Sequence, residues 1–227
     1  MIKIENIINF GWEAAICGMR NPMNSWDKSD SYYECPDEGT QRSCGEVHVG
    51  NNDLKLMQSL VKAGTDHSKF MRMIIVTCDI TAPLYWWKEF DTYKVGTVRN
   101  SCSTMHKIHS KEFTIDDFSH EHLINMFGES LPYSANELYC CNGIGALKET
   151  IDVLNGFRTN YLETKDKKYW WNMIQLLPSS YNQRATVQLN YAVLRNMYHS
   201  RKNHKLDEWR DFCAWVETLP YSELITA

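Results

Sequence analysis

The stretch Phe70–Ile80, FMRMIIVTCDI, constrains this chain more than any other. Its middle is β-branched and apolar without interruption, the pattern of a strand buried on both faces. The fold must therefore contain a sheet with something packed on either side of it. Thr81-Ala82-Pro83 then turns the strand into an aromatic-rich helix, LYWWKEFDTYKV, with Pro83 in the first turn, where a missing N–H costs nothing. Tyr85, Trp86, Trp87, Phe90 and Tyr93 cannot all face one way, so the pattern predicts that some of them meet a second surface, a subunit or a flat ligand.

A second organising stretch runs from Leu176 to Ala214 and reads as two helices joined by a charged turn, Pro178 suiting a helix start and Ser179 and Ser180 its cap. Ala185, Leu189, Ala192, Val193 and Met197 fall at three- and four-residue spacing. Elsewhere the expectations are a strand at the start (MIKIENI), a helix over Trp12–Met19 and a long loop over Asn24–Gly50. A helix capped by Asn52 or Asp53 follows, ending at Gly64. Gly96–His109 reads as a polar turn, Thr114 as the cap of a helix toward Phe127, and Asn136–Lys165 as a helix broken at its glycines. The sum is a helix-rich α+β fold with a small mixed or antiparallel sheet, built as a single domain over residues 1–227.

Composition excludes several function classes. No run approaches eighteen apolar residues and no signal-peptide pattern opens the chain, so no membrane partner is expected and the expected compartment is the cytoplasm. A net charge of -4 argues against a general nucleic-acid coat while allowing one local basic pocket. The eight cysteines include no CxxC and the eight histidines no HExxH, so no metal site is expected and the thiols read as reduced.

Laid end to end, these motifs resemble the flavin-dependent thymidylate synthases. KAGTDHSKFMRMIIVTCDITAP is similar to that family's His-Gly-His-Glu-Thr-Pro-Phe-Glu-His segment leading into a strand and an Ala-Pro helix start. Phe70 stands for the family's Phe, and Arg72 falls near its second His. Thr92-Tyr93-Lys94 occupies the place of the flavin-site Arg-His-Arg, with Cys102 or Ser103 at the serine that follows it. LPSSYNQRATVQLNYAVLRNMYHSR resembles the C-terminal Leu-Pro, Asn-x-Arg and Leu-Arg pattern through Leu177-Pro178, Asn190 and Arg201, with Ala192 where the second pattern has arginine.

The resemblance implies a homotetramer with pockets between subunits. It also implies reductive methylation of dUMP or a related pyrimidine nucleotide, with FAD as cofactor and NADPH and methylenetetrahydrofolate as co-substrates. Carried over residue by residue, it implies cofactor contacts from His67, Arg72, Thr92, Tyr93, Lys94 and Asn190. It implies substrate contacts from Cys102, Ser103, Arg195 and Arg201, and catalytic roles for Arg201 and Ser103.

The departures bear on the chemistry. Arginine engages two phosphate oxygens at once and lysine acts as a point charge, so replacing the Arg-His-Arg motif by Thr92-Tyr93-Lys94 removes guanidinium forks. Each residue also has a plainer reading. Tyr93 and Lys94 end a helix, Arg201 is a solvated helix end, and Asn190 is either a packing hydrogen bond or a ligand contact. Cys102 and Ser103 are either a nucleophile pair served by His106 or Arg99, or local hydrogen-bonders. His67, beside Asp66, either orients its imidazole or caps the strand entry. Three functions follow: a divergent synthase, a non-catalytic nucleotide- or flavin-binding or structural descendant of its fold, and a nucleic-acid-associated protein using the basic C-terminal patch.

Overall fold

A computed structural model describes residues 2–34, 46–124 and 142–227. The strands are β1 (Lys3–Phe10), β2 (Tyr32–Glu34), β3 (Glu46–His48), β4 (Ile75–Pro83), β5 (Val98–Ser101) and β6 (Asn182–Asn190). The helices are α1 (Trp12–Arg20), α2 (Asn51–Lys62), α3 (Leu84–Phe90), α4 (Gly143–Thr164), α5 (Lys167–Leu176), α6 (Tyr191–Arg201), α7 (Asp207–Glu217) and α8 (Glu223–Thr226). The result is a helix-rich α+β fold with a small antiparallel sheet, four strands in the order β1-β4-β6-β5, and β2 paired with β3 apart from it.

The chain divides into two compact units. Unit 1 comprises Met1–Ile4, Asp79–Thr92 and Asn100–Thr186; unit 2 comprises Glu5–Cys78, Tyr93–Arg99 and Val187–Ala227.

In unit 1, Ile108, Phe113, Phe118, Leu147, Ile151, Leu154 and Met173 form one apolar cluster, over which α4 and α5 lie against each other. The short helix α3 begins at Pro83, which is its N-cap rather than its first residue and has no side chain to offer the free N–H groups. Loop carbonyls do this instead: Leu84 N donates to Tyr181 O and Tyr85 N to Ser179 O, each at 3.0 Å. Pro178 therefore sits in a turn, not at a helix start. The aromatic surplus of α3 is absorbed inside the protein: Trp86, Trp87 and Phe90 are fully buried and meet at ring-centroid distances of 4.9–5.2 Å. Trp87 Nε1 donates to Gln183 O at 2.9 Å. The helix stops at Phe90, short of Thr92-Tyr93-Lys94, and the expected second surface is not needed for these three rings.

Several boundaries differ from expectation. Phe70 lies in a 3-10 turn, Lys69–Arg72, and the strand proper starts at Ile75 with one face buried and the other half-buried. The residues read as the first half of a helix after Pro178 form strand β6, with Gln183, Ala185, Val187 and Leu189 buried in alternation. A spacing of four fits both a helical turn and two strand repeats, which is why Ala185 and Leu189 fitted the helical stripe. Val98–Ser101 is a strand inside the expected polar turn. Thr114 forms a capping box with Asp117, yet over a single 3-10 turn, Ile115–Asp117. The expected helix ends at Phe127 and Asn136 lie outside the described residues. So do Cys35, Cys44, Cys140 and Cys141, while Cys17, Cys78, Cys102 and Cys213 are free thiols.

In unit 2 the cap of α2 is neither Asn52 nor Asp53. Asp30 reaches over to accept from Asn52 N and Asp53 N at 2.9 and 3.1 Å. Gly50 permits that approach, since a Cβ there would sit 2.2 Å from Asp30 Cγ. Asp53 instead faces inward, fully buried, and meets Arg20 Nε at 2.6 Å and the hydroxyls of Ser29 and Ser31 at 2.7 and 2.6 Å. Burial alone would raise the Asp53 pKa, but the bonds from Ser31, Ser29 and Arg20 outweigh it and hold it below the usual carboxylate range.

Asp53→Ala leaves the Arg20 guanidinium buried without its partner and should cost about 3–5 kcal/mol. Because the folded-state pKa is depressed, this contribution is complete above the ordinary carboxylate pKa and is lost as pH falls through the folded value. Thermal melts of wild type and Asp53→Ala should differ most near neutrality and converge in acid.

Candidate functional site

Four of the expected site residues of unit 2, Tyr93, Asn190, Arg195 and Arg201, lie on or against α6. Its start is fixed by Asn190, whose side-chain oxygen accepts from Val193 N at 3.0 Å in the N-cap position. The other end of the same amide, Nδ2, reaches Gly96 O at 3.5 Å. Gly96 has φ +80°, and a Cβ on it would lie 2.8 Å from Asn190 Nδ2 and 2.9 Å from Val193 Cγ2. The turn after α3 is therefore pressed onto the first turn of α6, and only glycine fits at the contact.

That turn carries Tyr93, with its carbonyl held by Thr97 Oγ1. Eleven residues on from Asn190, at the far end of α6, Arg201 donates from Nε to Tyr93 Oη at 2.8 Å. The Arg201 guanidinium carbon lies 4.8 Å from the Trp209 ring centroid and 5.5 Å from that of Tyr93. Trp209, in the first turn of α7, is fully buried, and the Tyr93 and Trp209 rings meet edge-on at 6.1 Å. His204, in the turn between the two helices, accepts from Leu206 N through Nδ1 at 3.2 Å and sits 6.4 Å from the Trp209 ring. The charged turn joining two helices is thus present as expected, and its two flanks supply Arg201 and Trp209.

The structure does not bring the other expected residues of this unit to that cluster. Arg195 lies six residues before Arg201, hence on a different side of the helix. It spends Nη1 on the carbonyls of Leu224 and Ile225, at 3.5 and 3.1 Å, and of Ala227, fastening the C-terminal segment. His67 and Arg72 are exposed, the one in the turn after α2 and the other at the end of the 3-10 turn. Lys94 is exposed beside Tyr93.

Unit 1 holds Thr92, Cys102 and Ser103. Thr92 is exposed and its hydroxyl donates to Glu89 O at 2.7 Å. Cys102 and Ser103 line a cleft of about 310 Å³ with Lys107, Lys111, Asn182 and Arg184. That volume lies at the low end for small-molecule sites. The cleft lining also carries the carboxylates of Glu112 and Asp117. Arg184 is paired with Asp79 at 2.7 Å, and Lys111 with Asp117. Ser103 Oγ accepts from Met105 N and His106 N at 3.2 and 3.0 Å, so its hydroxyl proton is what it has to give a ligand. Cys102 is exposed, with its backbone bonded to Arg184 O and Gln183 Nε2. Sequence reasoning missed Trp209, Lys107, Lys111 and Asn182. Trp209 had a signal, an aromatic one turn past a basic helix end. The others depend on a loop whose path has no period.

The three residues that the resemblance sets at the flavin motif offer a pyrophosphate fewer contacts than planar forks would. The Thr92 hydroxyl is bonded to its own helix end, Tyr93 Oη is bonded to Arg201, and Lys94 offers a single point charge in place of planar forks.

No protein-family model matches the chain, and no curated protein matches it significantly by sequence. Solved structures do. Thymidylate synthase X of Helicobacter pylori, crystallised with FAD and dUMP, superposes with a TM-score of 0.66 at 15% identity, covering 100% of this chain and 97% of that one. A second structure of the flavin-dependent enzyme from the same organism, also with FAD and dUMP, gives 0.65 at 17% identity, covering 98% and 97%. The UMP/dUMP methylase PolB of Streptomyces cacaoi, bound with 5-bromo-dUMP, gives 0.58 at 13% identity, covering 100% and 95%. At these identities the likeness establishes the fold.

Asn190→Ala should lower stability by about 1 kcal/mol through loss of the cap. Asn190→Asp keeps the acceptor but sets a second oxygen against Gly96 O, so it should recover only part of that in a chemical denaturation series.

Proposed function

We propose that this chain binds a pyrimidine nucleoside monophosphate, dUMP or a close relative, with Arg201 contacting the nucleotide. One observation carries the reading. Tyr93 and Arg201, the positions that align with the flavin motif and the nucleotide-contacting arginine, are 108 residues apart and touch. The full-length likeness to enzymes crystallised with dUMP or its analogue supports the choice of ligand. Arg201 would supply charge-assisted bonds to a phosphate or pyrimidine oxygen, and its planar fork would orient the acceptor.

The reductive methylation that such a fold performs elsewhere would need reduced flavin to supply the hydride. The residues at Thr92–Lys94 support a second reading in which nucleotide binding persists while flavin is held weakly.

Truncating one partner of a hydrogen-bonded charge pair costs about 2–5 kcal/mol. Arg201→Ala should therefore weaken dUMP binding by roughly thirtyfold or more, and Arg201→Lys should restore part of it. Calorimetric titration tests this, and equal affinity in all three proteins, or none in the wild type, removes the assignment. Thr92→Arg should tighten FAD in a fluorescence titration, since it returns one fork to the motif position. An unchanged curve would break the alignment on which that expectation stands.

A further inference from the structure

We propose that Tyr93 is a positioning residue that, with Trp209, holds the Arg201 guanidinium in its working orientation. The proposal rests on the reading that Arg201 meets the nucleotide, and goes beyond it by assigning the residue at the motif position a role toward the arginine rather than toward a cofactor.

The geometry supplies two constraints of different kind. Tyr93 Oη fixes one atom of the guanidinium, Nε, at 2.8 Å. Trp209 offers a ring to the whole group at 4.8 Å, and because this indole is fully buried it does not yield. A planar group bonded at Nε and seated on a rigid ring has its position and its plane set together. An arginine at a helix end otherwise samples many rotamers, and a ligand must order it on binding. Tyr93 is itself held, by Thr97 at its carbonyl and by the contact of Gly96 with Asn190 at the head of α6. The support is thus closed on itself: the helix that ends in Arg201 also anchors the turn that carries Tyr93.

The test is a double-mutant comparison. Tyr93→Phe keeps the ring and removes the acceptor of the Nε–H bond, and should weaken dUMP binding about three- to tenfold with little change in Tm. In an Arg201→Lys background, whose amine has no Nε, the same change should have almost no further effect. Wild-type affinity in Tyr93→Phe, or the same fold-loss in both backgrounds, overturns the proposal. Nitrogen-15 spectroscopy of the Arg201 Nε–H group reads the clamp without a ligand: slow exchange in the wild type that is lost in Tyr93→Phe supports it, and identical exchange overturns it. If the wild type binds no dUMP, the nucleotide reading falls, and the Nε–H signal alone decides whether the clamp exists.

Discussion

Much of unit 2 depends on the two ends of one amide, that of Asn190. There the chain leaves β6 and enters α6 with no intervening loop, so the last strand residue must also be the helix cap. Its oxygen satisfies Val193 N, and its nitrogen reaches the carbonyl of Gly96. A cap fixes where a helix begins, and with 3.6 residues per turn it thereby fixes which way every later side chain points. Arg195 is directed to the C-terminal segment and Arg201 to Tyr93 by that single choice of starting residue. Asn190 is buried, so an amide there has to be satisfied at both ends.

The fold class was legible because burial is periodic. The strand at Ile75, the helices α1 and α2 and the helical pair α6 and α7 all show themselves in the spacing of apolar residues. Period failed where two repeats coincide, as from Ala185 to Leu189. The exposed Arg184, Thr186 and Gln188 between the buried residues hold the information that distinguishes strand from helix there. The aromatic run in α3 left its covering open for a different reason. A count of aromatics on a helix says how much surface must be covered, whereas what covers it here is other rings of the same run and a carbonyl of β6. The Asp30 cap of α2 had no local signature, because the capping carboxylate arrives from outside the helix.

The arginines near the C-terminus each have partners of their own. Arg184 is paired with Asp79, Arg195 fastens the C-terminal carbonyls, and Arg201 is held by a phenol and an indole. Three arginines within eighteen residues thus serve three different structural ends. The electrostatics on view are local: one guanidinium held in unit 2, and a cleft with paired charges in unit 1.

The residues at the motif position bear on the order in which ligand affinities are lost. A pyrophosphate spreads charge over several oxygens and needs several forks, each contributing bonds that a lysine or a threonine does not replace. A nucleoside monophosphate presents one dianionic group and one polar ring edge, and a single well-held arginine can engage either. Substituting threonine and lysine for forks therefore weakens a dinucleotide far more than a mononucleotide. Substituting tyrosine for the imidazole adds the hydroxyl that Arg201 Nε now meets. Under the nucleotide reading proposed above, Thr92, Tyr93 and Lys94 would favour a mononucleotide over a flavin, the Tyr93 hydroxyl being bonded to the chain's own Arg201.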